Sequence, residues 1–380
     1  MTRDMMIIRI RPSRWLVLSL VVISLILMGH MLLQSAPSEA ISTGAKTLRQ
    51  ELSIARPNQD GQEILLSKTI PLKVGIQLKN VYNLQLALQT YSADGWYWVA
   101  WTEELNEILQ QENLRPGKMI DFFNQVEPWN SRIEPETSEP RRLPDGSYYQ
   151  TFRFSGNFYI AQIGERRSPF SSVQLQTVLE TRPESFAFSN HAVVLEPDPN
   201  MTTIVGNYSE LSGYKLEKGW IEQSTNTYPI SAKNTEETFS QLSVNVLYST
   251  EPWSAFMTWI LPLLIVMIIV LLAPSLDSLL EEVRLAIPST ALLTLVLMQQ
   301  SYKSELPAIP YLTFLDKIYA YCYLIALGLF ILFLWSSNQL EAVKKEEKDT
   351  LRIRLNHIGT IGQISAWISL ILVTLIAWFL

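Results

Sequence analysis

Apolar residues in this chain gather into long blocks, and between the blocks they alternate with polar ones. The first block runs from Trp15 to Leu33. Four more come after residue 252: Trp253 to about Pro274, about Glu282 to Ser304, about Phe314 to Trp335, and about Gly359 to Leu380. Each is close to the roughly 20 residues an α-helix needs to cross a hydrocarbon core. The pattern predicts a bundle of four transmembrane helices over residues 253–380. The second helix is the least apolar, holding Arg284, Thr290, Gln299 and Gln300. Polar groups against lipid are costly, so this helix is expected to face protein or water.

Over residues 71–252 the period shortens to two. Leu72-Lys73-Val74-Gly75-Ile76-Gln77-Leu78 alternates, and similar runs are Trp96–Trp101, Tyr148–Phe154, Val173–Leu179 and Leu242–Tyr248. Alternation is the mark of half-buried strands. Turn signals stand at Pro144-Asp145-Gly146, Ser155-Gly156-Asn157 and Pro197-Asp198-Pro199-Asn200. Many short strands so spaced predict a β-sandwich. One helix is expected at Glu103–Gln111, where Leu105, Ile108 and Leu109 share a face. Residues 41–70 read as an irregular leader.

Charge orients this arrangement. Arg3, Arg9, Arg11 and Arg14 precede the first apolar block and hold that end in the cytoplasm. Nineteen apolar residues suit a membrane anchor, while Ser38-Glu39-Ala40 offers a cleavage site, so residues 1–40 are a signal peptide or an N-terminal anchor. Either one exports the segment after residue 40. Lys344, Lys345, Lys348, Arg352 and Arg354 place a loop over 336–358 in the cytoplasm as well. Residues 41–252 and the 305–313 connection then lie outside a plasma or inner membrane.

Composition narrows the chemistry. Residues 41–252 carry 25 acidic and 18 basic side chains, a balance that argues against a nucleic-acid partner. The lone Cys322 and the scattered His30, His191 and His357 give no metal-ligand spacing and no nucleophile–base grouping. No Gly-rich phosphate loop is present. Neither an enzyme nor a bound cofactor is expected.

Within the second span, Glu282, Ala286, Thr290 (or Ser289), Leu293, Leu297, Gln300 and Ser304 recur every three or four residues. They form one helical stripe: acidic, then small and polar, then leucine, then polar. Leucines at this spacing also serve ordinary packing. Glu281 and Glu282 also suit a helix N-terminus, where acids are favourable. Pro288 interrupts the hydrogen-bond ladder and is expected to kink the helix near its Glu282 end.

The layout resembles the pentameric ligand-gated ion channels, the Cys-loop receptor superfamily, and above all its prokaryotic members without the loop cysteines. Leu306-Pro307-Ala308-Ile309-Pro310-Tyr311-Leu312-Thr313-Phe314-Leu315-Asp316 is similar to the family's segment after the pore helix. Gly164-Glu165-Arg166-Arg167-Ser168-Pro169-Phe170 is similar to its signature loop, Pro262 to its first-span proline, and Trp101 and Trp220 to its tryptophans. Two positions depart: Ser171 and Val173 stand where the family usually has Asp and Gln, and no basic residue lies in Tyr248–Pro252.

The resemblance implies a β-sandwich extracellular domain followed by an all-α four-helix transmembrane bundle, assembled as a homopentamer in a lipid bilayer. It implies a channel for small inorganic ions, gated by an unknown small-molecule ligand or by protons. Glu282, Ala286, Thr290, Leu293, Leu297 and Gln300 would then line the pore. The carboxylate ring would favour cations, and the leucine rings would gate by dewetting. Pro169, Phe170, Pro307, Tyr311 and Asp316 would couple the domains, with Tyr311 and Asp316 near Pro169 and Phe170. Phe186, Phe188 and Tyr214 are candidates for an aromatic ligand pocket, or for ordinary sandwich core. A different class, a non-conducting membrane sensor or scaffold with the same architecture, is the alternative.

Overall fold

The computed structural model describes residues 54–55, 69–111, 113–160, 163–181, 192–230, 235–276, 280–343 and 348–379. The N-terminal signal or anchor, most of the 41–70 leader, and Phe186 and Phe188 lie outside them. The chain divides into two compact units. One holds residues 42–164 and 172–249; the other holds 165–171 together with 250–380.

The first unit is sandwich-like, with two sheets. Its strands are β1 (Ile54–Ala55), β2 (Thr69–Gln85), β3 (Thr90–Trp101), β4 (Ile120–Phe122), β5 (Gln125–Val126), β6 (Arg132–Pro135), β7 (Arg141–Arg142), β8 (Tyr148–Tyr159), β9 (Ile163–Gly164), β10 (Ser172–Thr181), β11 (Ala192–Pro197), β12 (Val205–Tyr208), β13 (Tyr214–Ile230) and β14 (Thr235–Thr250). The six-stranded sheet runs β1-β13-β14-β10-β4, with β9 on β10. The eight-stranded sheet runs β11-β2-β3-β8-β5, with β12 on β2 and β6 and β7 on β8.

Alternation explains which faces meet. Leu72, Val74, Ile76 and Leu78 of β2 are buried, while Lys73 points out. Val173, Leu175 and Leu179 of β10 pair with Tyr248, Val246 and Leu242 of β14, and all six are buried. Each such side chain contributes roughly 1.5–3 kcal/mol on burial. A buried polar contact crosses between the sheets: the Tyr91 hydroxyl of β3 lies 2.7 Å from that of Thr177 on β10. The helix α1 spans Glu103–Gln111, with Leu105 and Leu109 inward.

One expected turn is not a turn. Ser155-Gly156-Asn157 lies inside β8. A Cβ on Gly156 would sit 2.4 Å from the side-chain Nε2 of Gln125, so the bare backbone makes room for that side chain. The Pro144-Asp145-Gly146 signal is a hairpin turn between β7 and β8, with Gly146 at φ +84°.

The second unit has four helices long and apolar enough to cross a membrane, the build of a multi-pass membrane protein. The first, α2 (Pro252–Ser275), includes a π-turn at Phe256–Ile260 just before Pro262. There the Leu261 amide donates to the Phe256 carbonyl, five residues back. The others are α3 (Glu281–Ser304), α4 (Phe314–Ala342) and α5 (Lys348–Phe379). Helix α3 continues through Pro288, whose side chain lies on the buried face. Helices α4 and α5 extend well into 336–358, so their connection is shorter than hydropathy suggests. Hydropathy marks the span, whereas Lys and Glu continue a helix readily beyond it. Glu251 alone separates β14 from α2.

Candidate functional site

The predicted stripe of α3 is the face that the single chain leaves open. Glu282, Ala286, Ser289, Thr290, Leu293, Leu297, Gln300 and Ser304 are all exposed, and so are Val283 and Val296. At 3.6 residues per turn these positions fall within an arc of about 140°. Leu293 is 63% and Leu297 62% exposed, while Leu295 between them is fully buried. The opposite face, with Arg284, Ala291, Leu295 and Tyr302, packs into the bundle. The Arg284 guanidinium lies 4.6 Å from the Phe333 ring centre. The exposed hydroxyls are turned back on the helix: Ser289 donates to Ala286 O, Thr294 to Thr290 O and Ser304 to Ser301 O. The face is thus apolar in its middle and polar at both ends.

Residues 165–171 pack on the ends of α4 and α5. Phe170 lies 6.3 Å from Phe314 and 5.8 Å from Trp378, which themselves meet edge to face at 5.3 Å. Arg166 lies 5.6 Å from the Tyr311 ring and Arg167 5.9 Å from that of Trp378. Pro169 and Pro307 are buried. The loop therefore meets Tyr311 through Arg166, and Phe170 meets Phe314. Sequence reasoning missed Trp378, because a tryptophan ending an apolar run reads as a membrane-interface residue.

Asp316, expected near Pro169 and Phe170, makes its hydrogen bonds to Thr313 and to α3. It is 1% exposed and accepts from Lys303 Nζ at 2.7 Å and from Thr313 N and Oγ1 at 3.1 and 2.9 Å. With Thr313 it forms the capping box that starts α4.

Of the ligand candidates, Tyr214 begins β13 and packs against the sandwich core. A more developed aromatic surface lies on β3. Trp96 and Trp98, two residues apart, share the side of the sheet opposite buried Tyr97. Trp96 Nε1 donates to Glu136 at 2.8 Å, and Trp98 Nε1 to Asp198 at 2.6 Å. Trp98 lies flat across Gly75, where a Cβ would come within 2.1 Å of its ring. Lys79 sits 5.3 Å from the Trp96 ring centre. Both indoles are thus held in place by a hydrogen bond to a carboxylate. Their alternation within Trp96–Trp101 was the available signal.

Among the described residues, no group of three or more His, Cys, Asp or Glu is placed to hold a metal ion. No protein-family model matches the chain, and no curated protein sequence matches it.

Proposed function

We propose that the protein is a homopentameric, cation-conducting channel of the pentameric ligand-gated type, with α3 lining the pore and the exported sandwich receiving the stimulus. The observation that carries this is the open face of α3. The least apolar of the four helices turns its other side into the bundle and leaves Glu282, Ala286, Thr290, Leu293, Leu297 and Gln300 uncovered. A membrane-crossing face with a carboxylate and polar groups is poorly suited to lipid. Around an axis of five copies it supplies a cytoplasmic acidic ring, hydroxyl-lined walls and two leucine rings. The 165–171 loop, clasped by Tyr311, Phe314 and Trp378, supports a route for gating force through Pro169, Phe170 and Pro307.

Purified protein in planar bilayers is expected to pass current and to prefer cations over chloride. Glu282→Gln is expected to reduce that preference, read as a shift of the reversal potential in a salt gradient. Silent bilayers across pH, amines and divalent ions would instead favour a non-conducting sensor. An unchanged reversal potential in Glu282→Gln would remove the selectivity role alone.

A further inference from the structure

The Ser304 end of α3 is held by a polar network centred on one buried carboxylate. Lys303 and Gln299, one turn apart on α3, both reach Asp316, at 2.7 and 3.4 Å. Gln299 in turn accepts from the Tyr323 hydroxyl of α4 at 2.7 Å. The Tyr302 hydroxyl pairs with that of Thr313 at 2.9 Å, and its ring meets Trp259 of the π-turn at 5.4 Å.

The two charged partners are unequal. The Asp316 side chain is 1% exposed, whereas that of Lys303 is 38% exposed. A buried carboxylate stripped of its bonds is very costly, while a lysine at the boundary is readily hydrated. If the pair separates, the lysine is the one that leaves. Asp316 then keeps its bonds to Thr313 and Gln299, so the start of α4 survives while the end of α3 loses its charged tie and is held by the hydrogen bonds of Gln299 and Tyr302.

We propose that Lys303 on Asp316 is a releasable latch. Seated, the lysine pins the Ser304 end of α3 to α4. Released into solvent, it lets that end move, and the open face bearing Leu297 and Gln300 moves with it. Lys303 and Asp316 are thus positioning residues for that face. Only the effect on current rests on the channel reading.

The test uses the full chain in lipid nanodiscs, with Cys322→Ala and Gln300→Cys so that the one thiol lies on the open face. The readout is the rate of modification by a water-soluble methanethiosulfonate reagent. Lys303→Gln is expected to change this rate by about threefold or more, and the Lys303→Gln/Asp316→Asn double variant no further than either single. Raising salt from about 0.05 to 1 M should shift the parent rate modestly and leave Lys303→Gln unmoved, because salt screens the pair only through its 38% exposed lysine end. Open probability of the same proteins is measured in planar bilayers.

Rates that agree within about twofold in folded variants, or effects that multiply in the double variant, overturn the latch. If labelling shifts while no variant conducts, the latch stands and the channel reading falls. If currents flow and neither readout moves, the latch falls and the channel reading stands. Should Asp316→Asn fail to fold, Lys303→Gln with the salt series still decides.

Discussion

Asn124 occupies the corner where the two sheets of the first unit come together. Its Oδ1 accepts from Val178 N at 2.9 Å, and its Nδ2 donates to Tyr159 O at 2.9 Å and to Gln176 O. Tyr159 belongs to the eight-stranded sheet, and Val178 and Gln176 to the six-stranded one. Asn124→Ala would leave an amide and two carbonyls short of partners. We expect a loss of about 2–4 kcal/mol, measured by chemical denaturation followed by tryptophan fluorescence. Nothing in the sequence distinguishes this asparagine from one in an ordinary turn, because its partners are 35 to 54 positions away.

Tyr248 and Tyr91 tie the same unit to pH. Burial pushes the Tyr248 phenol up to about 12, against a smaller opposite effect of its hydrogen bond to Ser209 O. Burial raises Tyr91 as well, with the Thr177 bond again opposing. Both folded values exceed the unfolded value of about 10, so this stability is fully present below pH ~10 and fades as pH climbs through the folded values. The denaturation midpoint is expected to hold steady to about pH 10 and to fall above it. Tyr248→Phe should fall less steeply, with phenolate absorbance as an independent check.

Helix α3 shows how far period alone carries an element. A spacing of three and four picked the open face, and the structure leaves that face uncovered. The same period could not say what the face meets, because exposure in one chain fits a pore, a neighbouring copy or lipid. Leu295 and Leu297 separate packing from function. Leu295→Ala is expected to cost about 2–5 kcal/mol, measured by thermal melting in detergent. Leu297→Ala should leave the melt within about 0.5 kcal/mol while altering the bilayer current. Strands were legible for a related reason: Leu72 to Leu78 alternate because one side is core. Gly156 misled because glycine marks tight approach as well as turning, and the neighbour it accommodates, Gln125, is 31 positions away.

Across the whole molecule, hydropathy fixed the four spans and alternation fixed the two-sheet unit, since both patterns are written locally. Contacts between distant segments were legible only where a resemblance pointed at them. It pointed at 165–171 and Tyr311 but not at Trp378. It named Asp316 but did not reveal the bonds of its carboxylate to Lys303 and Thr313. Charge pairing of that kind depends on which side chains share a buried corner, and helical spacing does not encode it.

The passage from β14 to α2 is a single residue, Glu251, and the amide of Thr250 is itself bonded to Ser171 O at 3.0 Å. One residue spans at most about 3.6 Å and stores no slack. A tether this short limits how far Trp253 can stray from the end of the strand, where a longer one would leave it free to wander.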